Sequence, residues 1–259
     1  MRSIERREGA TAREKVSPRS PYHTLTRRIF ASSSRGRSHS FALAVFVWQV
    51  FPLFQDGVTP EQLDKAMKSL GMPVGPVTLI DEVGFDVAAH VTETMVADAT
   101  MGVRMAGADP AKQNRFVEMG WLGKKSGKGF FEYDKKGKRG GFNQEAIALI
   151  KAEVMQRDAK LTPEQIQDRM LARFINETAL CLQEGIIESP VDGDMGAVFG
   201  IGFLPFMGGP FRMLDIVGVE GYVAKMNGLA EQYGEHFAPC QLLQDHAHTG
   251  TKFHAGGAK

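Results

Sequence analysis

Cysteine is almost missing from this chain: Cys181 and Cys240 are the two in 259 residues. Two thiols cannot build the framework of a stapled secreted domain, and with no Cys-x-x-Cys they form no zinc knuckle, which leaves reduced thiols in a reducing compartment as the default. Long apolar runs are scarce as well. The most apolar stretch, Phe41 to Phe54, reads FALAVFVWQVFPLF, short of the roughly 20 residues a helical span needs. It is therefore expected to cap the core as a buried helix or strand and not to span a membrane, and Pro52 argues against one straight helix through it. Nucleotide fingerprints fail too. Gly200-Ile201-Gly202-Phe203-Leu204-Pro205 lacks the last glycine and the preceding strand that bring backbone up to a pyrophosphate, and Gly123 to Gly129 has three residues between its glycines where a phosphate loop needs four, and Gly at the position where Ser/Thr should hold magnesium. No serine nucleophile elbow or Cys-His signature is present.

What the chain does have is the makeup of a folded protein, 43% apolar and 24% charged. Its net charge of +1 hides an asymmetry. Residues 1–40 hold ten Lys/Arg against three Asp/Glu, a net +7, while the other 219 residues hold 21 against 27, a net −6. An acidic body offers nucleic acid no net attraction, so no nucleic-acid partner is expected. The leader, rich in Arg, Ser and Pro and without an apolar period, is expected to be irregular. Its Arg28-Ile29-Phe30-Ala31-Ser32 suits the processing site of a mitochondrial transit peptide, although Glu5, Glu8 and Glu14 are more acid than such peptides usually carry; an irrelevant or mis-joined leader and, last, a nucleic-acid arm are the other readings. The matching compartments are the mitochondrial matrix or, failing that, the cytoplasm.

The body reads as helical. Thr59-Pro60-Glu61-Gln62 and Thr162-Pro163-Glu164-Gln165 are helix starts with an N-cap threonine, proline in the first turn and glutamine placed to close a capping box. Asp109-Pro110 and Asn143 open two more. Leu63, Ala66, Met67 and Leu70 form the buried stripe of the first, and Ile166, Met170, Phe174, Ile175 and Leu182 that of the second. One short strand-like run, Gly129 to Tyr133, stands apart. The chain also repeats itself: Gln55-Asp56-Gly57 returns as Gln183-Glu184-Gly185, Asp64 as Asp194, Pro73 as Pro205, and Gly75-Pro76-x-x-x-x-Asp81-x-Val83-Gly84 as Gly209-Pro210-x-x-x-x-Asp215-x-Val217-Gly218. Matching order and spacing predict a mainly α protein of two tandem, duplicated helical units, 41–141 and 142–259, behind the leader 1–40.

The candidate ligand-facing residues are few. The turn Met72, Pro73, Gly75 and Pro76 is of the kind that lines a cleft, although turn geometry alone also explains it. Lys124, Lys125 and Lys128, set among glycines, could meet phosphates by simple charge attraction, or could face solvent. Asp86, His90 and Glu93 share a helical face, a common polar pattern that is not taken as a metal site.

Gly71-Met72-Pro73-x-Gly75-Pro76-x-x-Leu79-x-Asp81-x-x-Gly84-x-Asp86 and Gly120-x-Leu122-Gly123-x-Lys125-Ser126-Gly127-Lys128-Gly129-Phe130-Phe131-x-Tyr133 resemble the C-terminal helical region of 3-hydroxyacyl-CoA dehydrogenases. Arg173-Phe174-x-Asn176-Glu177, Gly193-Asp194-x-Gly196-Ala197 and Gly208-Gly209-Pro210-Phe211-Arg212 are similar to the α-subunit family of the trifunctional fatty-acid β-oxidation enzyme. The resemblance runs from about Val50 to His246. It implies a 6-phosphogluconate-dehydrogenase-C-terminal-like helical fold, a place in fatty-acid β-oxidation, acyl-CoA as ligand, other β-oxidation subunits or a self-association interface as partners, and NAD as the family's cofactor. The family's hydratase module and Rossmann domain have no counterpart in these residues, and its catalytic His, Glu and Asn match no position here. No catalytic or cofactor-binding residue carries over, and this chain alone is expected neither to bind NAD nor to catalyse hydride transfer. A non-catalytic acyl-CoA-binding or subunit-interaction module is the alternative.

Overall fold

The computed structural model describes residues 42, 44–97, 104–105 and 109–254. The expectation of an irregular leader over residues 1–40 lies outside them. The described residues form eleven α-helices and a single two-stranded sheet. The first half contains α1 (Val50–Gln55), α2 (Pro60–Ser69), α3 (Pro76–Val83), α4 (Phe85–Ala97), α5 (Pro110–Glu118), strands β1 (Phe131–Tyr133) and β2 (Arg139–Phe142), and α6 (Gln144–Leu149), which continues as a wider π turn over Ile150–Val154. The second half contains α7 (Pro163–Gln183), α8 (Pro190–Ile201), α9 (Pro210–Val217), α10 (Val219–Tyr233) and α11 (Gln241–Thr249).

Local chemistry sets most of these boundaries. Thr59 and Thr162 both close the expected capping box: each hydroxyl accepts from the glutamine amide three residues on, and that glutamine's side chain accepts from the threonine N–H. Asp109 and Asn143 cap α5 and α6. In the apolar run, residues 44–48 are helical, a turn at Gln49 interrupts the chain, and α1 begins at Val50. Pro52 thus falls in a first turn, where its missing N–H leaves no bond unmade. Val45, Phe46, Trp48, Val50, Phe51, Leu53 and Phe54 are all buried. No described helix is long and apolar enough to cross a membrane.

Two aspartates in each half act as clamps on neighbouring backbone. Asp64 on α2 accepts from the Val77 and Thr78 amides at the start of α3 (2.8 and 3.2 Å), and Asp194 on α8 accepts from those of Phe211 and Arg212 at the start of α9 (2.7 and 3.1 Å). Each carboxylate sits where a Cβ on Gly75 or Gly209 would have to go. Glycine is required there for space. Asp81 at the end of α3 accepts from the Phe130 and Phe131 amides (2.8 and 2.9 Å), as Asp215 at the end of α9 accepts from those of Phe253 and His254 (2.8 and 2.9 Å). The halves meet directly. A Cβ on Gly71 would touch the Phe206 ring and one on Gly202 would lie 3.0 Å from Pro73, so the turns around Met72 to Pro76 and Leu204 to Pro210 abut. One buried apolar cluster runs from Ala42 to Phe253.

Candidate functional site

The turn before α3 and the lysine loop share a framework built on Asp64 and Asp81. The Thr78 hydroxyl donates to Asp64 (2.6 Å) and accepts from Arg139 on β2 (2.6 Å), which fastens the sheet to the turn. Asp81 takes a third donor, the Tyr133 hydroxyl (3.1 Å). Burial pushes the Asp81 carboxyl up to about 6, against the opposing pull of those amides and that hydroxyl. Burial also raises Asp64, opposed by its bonds to Thr78 and Val77, while burial and the neighbouring Asp81 charge hold Tyr133 firmly protonated. Three donors hold Asp81 in place, so that it acts as a clamp between α3 and β1.

Each candidate lysine has a carboxylate partner. Lys124 bonds both oxygens of Glu82 (2.9 Å), Lys125 pairs with Asp86, and Lys128 reaches Glu145 on α6 (2.9 Å) while lying 5.0 Å from the centre of the Trp121 ring. Lys124 and Lys125 therefore cover the α3–α4 corner, whereas Lys128 turns towards α6. Met72 packs on the core and Pro73 against Gly202. The structure thus gathers Lys124 and Lys125 but does not converge all seven candidates on one point. Ser126 fixes the loop by accepting from the Leu122 amide (2.8 Å). On the α4 face, Asp86 is taken by Lys125 and Glu93 by Asn114 (2.7 Å).

A second polar cluster escaped the sequence reading. A cleft of about 230 Å³ opens between α1, α7 and α10, with Trp48, Asp56, Arg157, Arg169, Tyr233 and His236 among its walls. Buried Arg169 pairs with Asp56 (2.6 Å) and lies 4.0 Å from the centre of the Tyr233 ring. Burial, then the Arg173 and Arg169 charges, lower His236 to about 4. Asp56 and Arg169 are 113 residues apart, and no local pattern could have joined them. The cysteines offer no nucleophile: burial raises Cys181 to about 12 and Cys240 to about 11.

NAD finds no fitting cradle among the described residues. The sheet is a two-stranded antiparallel pair, and Gly202 ends α8 in the left-handed conformation. A helix C-terminus carries partial negative charge, the opposite of what a pyrophosphate requires.

Comparison with known proteins agrees with this architecture. The family model described as the 3-hydroxyacyl-CoA dehydrogenase C-terminal domain matches residues 42–133 and 166–259. The fatty acid oxidation complex subunit alpha of Vibrio vulnificus is 43% identical over 194 residues, 75% of this chain and 26% of its own length. Those of Vibrio cholerae and Shewanella loihica are 42% and 37% identical over 82% of this chain and 29% of theirs. The chain thus spans little more than a quarter of the length of these relatives. Among solved structures, 3-hydroxybutyryl-CoA dehydrogenase from Escherichia coli K12 superposes with a TM-score of 0.60 at 21% identity, covering 82% of this chain and 59% of that one. The dehydrogenase part of multifunctional enzyme 1 from C. elegans gives 0.59 at 19%, covering 82% and 47%. At such identities these two speak for the fold alone.

Proposed function

The chain belongs to the 3-hydroxyacyl-CoA dehydrogenase C-terminal domain family, and from that premise we propose that it is the helical C-terminal part of a fatty-acid-oxidation α-subunit, one that walls the acyl-CoA cleft without itself transferring hydride. The observation that carries this reading is the family match over both halves of the chain, joined to 37–43% identity with the α-subunits. The same reading takes the halves as copies of one helical unit, supported by the paired clamps Asp64 and Asp194, Asp81 and Asp215. The compartment proposed is the mitochondrial matrix, on the strength of the Arg- and Ser-rich leader.

In this proposal acyl-CoA approaches the α3–α4 corner, and Lys124 and Lys125 turn to its phosphates. They are 40% and 44% exposed, and exposed ion pairs are worth only about 0–1 kcal/mol, so exchanging Glu82 and Asp86 for a phosphate costs little. Base and hydride acceptor are supplied by other parts of an α-subunit, since no catalytic residue of the family carries over to this chain and no NAD cradle fits among the described residues. Calorimetric titration of the purified chain with a 3-hydroxyacyl-CoA, alongside an NADH assay, tests both parts. Measurable binding, weakened at least about tenfold by joint Lys124→Glu and Lys125→Glu, the scale of losing two phosphate contacts, and no NADH are the expected results. Absence of binding, or NADH formation above a mock purification, would sink the reading.

A further inference from the structure

We propose that the cleft between α1, α7 and α10 binds the carboxylate of a small aromatic acid, with Arg169 and Arg157 taking the oxyanion and Trp48 and Tyr233 flanking the ring. The cleft shares no residue with the Lys124–Lys125 corner, so the inference is independent of the acyl-CoA reading. Arg169 on α7 lines the cleft with a side chain only 3% exposed. One of its terminal nitrogens donates to Asp56 (2.6 Å), yet its Nε–H meets no acceptor among the described residues. A buried donor left unmet is costly, the more so on a charged group. Guanidinium donors form a rigid planar fork, so one arm can stay on Asp56 while the Nε arm takes a second oxyanion. The guanidinium lies over the Tyr233 ring, 4.0 Å from its centre, which covers a face and leaves the edges to a ligand.

The second arginine is held at the mouth by its backbone. The Gln156 and Arg157 amides both donate to the Gln55 carbonyl (2.9 Å each), and the Ala159 amide donates to that of Asp56 (2.9 Å). A Cβ on Gly57 would lie 2.6 Å from the Arg157 carbonyl oxygen, so glycine there lets the segment close on the end of α1. The Arg157 side chain itself stays 71% exposed, 3.6 Å from Asp56. So loose an ion pair contributes little, and the side chain can turn to a ligand. Charge then selects the ligand. His236 is neutral at pH 7, and two arginines around one carboxylate leave a surplus of a single positive charge. A carboxylate cancels it, whereas a phosphate, with about −1.5 to −2, would overshoot beside Asp56. Size and surface select the rest. A cleft of about 230 Å³, at about 30 Å³ for a water molecule, holds roughly eight non-hydrogen atoms, the scale of one ring and its carboxylate and too little for a long alkyl chain. Trp48, Pro52 and Tyr233 in its walls offer that ring apolar surface.

Titration of the full chain with benzoate, inorganic phosphate and benzylamine tests the proposal, read by Trp48 fluorescence in a Trp121→Phe background and by saturation-transfer NMR on the ligand with the unsubstituted chain. Benzoate should give a saturable change with a midpoint below about 1 mM, the weak end of specific affinity. Benzylamine, the same ring with the opposite charge, should give none, and phosphate should bind more weakly than benzoate. Arg157→Gln, at an exposed side chain whose loss leaves circular dichroism and urea midpoint unchanged, should weaken benzoate about tenfold, the scale of one charge-assisted hydrogen bond. Asp56→Asn keeps an acceptor for Arg169 while removing the competing charge, and should tighten benzoate about threefold or more. A purely structural arginine pair would respond to neither change. No saturable signal up to about 10 mM benzoate, equal binding of benzylamine, or a benzoate affinity indifferent to Arg157→Gln overturns the proposal. Phosphate binding as tight as benzoate overturns the carboxylate assignment and gives the cleft to a phosphoryl group.

Discussion

Single titrating residues pull this fold in opposite directions as pH falls. His236 takes its proton at about 4 in the folded chain against an ordinary 6.5. The unfolded chain therefore protonates first, and the stability that neutral His236 allows is complete above about 6.5 and lost as pH drops towards 4. At about 1.4 kcal/mol per unit, discounted because the ring keeps some solvent, this amounts to about 2 kcal/mol. Asp81 runs the other way. Raised from 3.8 to about 6, it binds protons more tightly when folded, so its unfavourable contribution grows as pH rises through that window and eases on acidification. His236→Phe keeps a ring against Trp48, whose centroid is 6.1 Å away, and removes the titration. Urea unfolding at pH 7 and pH 4.5 should then show the variant gaining about 2 kcal/mol relative to wild type between the two; a gap independent of pH would mean that His236 does not set this pH dependence.

At the scale of elements, space decides more than backbone angle. Gly75 has φ −71°, a conformation open to any residue, and the repeated Gly-Pro pair owes its glycine to the Asp64 carboxylate packed against it. Gly75→Ala should displace Asp64 from the Val77 and Thr78 amides and the Thr78 hydroxyl, at about 3 kcal/mol given the donors left unmet. Thr162→Ala, which removes one capping box, should cost about 1 kcal/mol. If urea midpoints rank these two the other way, the packing argument is wrong. Caps of this sort were legible in the sequence because they act over three residues, and so were the buried stripes of α2 and α7. Strand β2 was not, since Arg139-Gly140-Gly141-Phe142 has neither alternation nor β-branched residues to signal pairing with β1. Nor were the partners of the lysines, which lie 42, 39 and 17 residues away and are fixed by how α3, α4 and α6 pack. The sequence pattern located the Gly-Pro turns and the Gly/Lys loop as special, but only their three-dimensional setting shows that aspartate clamps, more than any ligand, explain their glycines.

For the whole molecule the question is whether two similar halves are two folding units. The division at 141/142 passes through β2, and the core ignores it. Phe46 meets Phe174 edge-on at 6.1 Å, Phe174 stacks on Phe203 at 4.9 Å, the Asp56–Arg169 pair bridges the halves, and Gln167 on α7 donates to the Ala66 carbonyl of α2 (2.8 Å). A half chain would expose to water the inner faces of Phe46 and Phe174 and the rest of the shared core, each large side chain forfeiting about 1.5–3 kcal/mol of burial, and would lose the Asp56–Arg169 pair and the Gln167 bond. A few such side chains add up to the 5–15 kcal/mol by which whole domains are stable, so neither half is expected to fold alone. The intact chain should therefore unfold in urea in one transition. Fluorescence of Trp48, which reports contact with His236 across the cleft, and far-UV circular dichroism, which reports the helices of both halves together, should give the same midpoint in a variant whose other tryptophan, Trp121, is replaced by phenylalanine. A fluorescence change that completes before the helices melt would mean that the halves part first and fold as separate units.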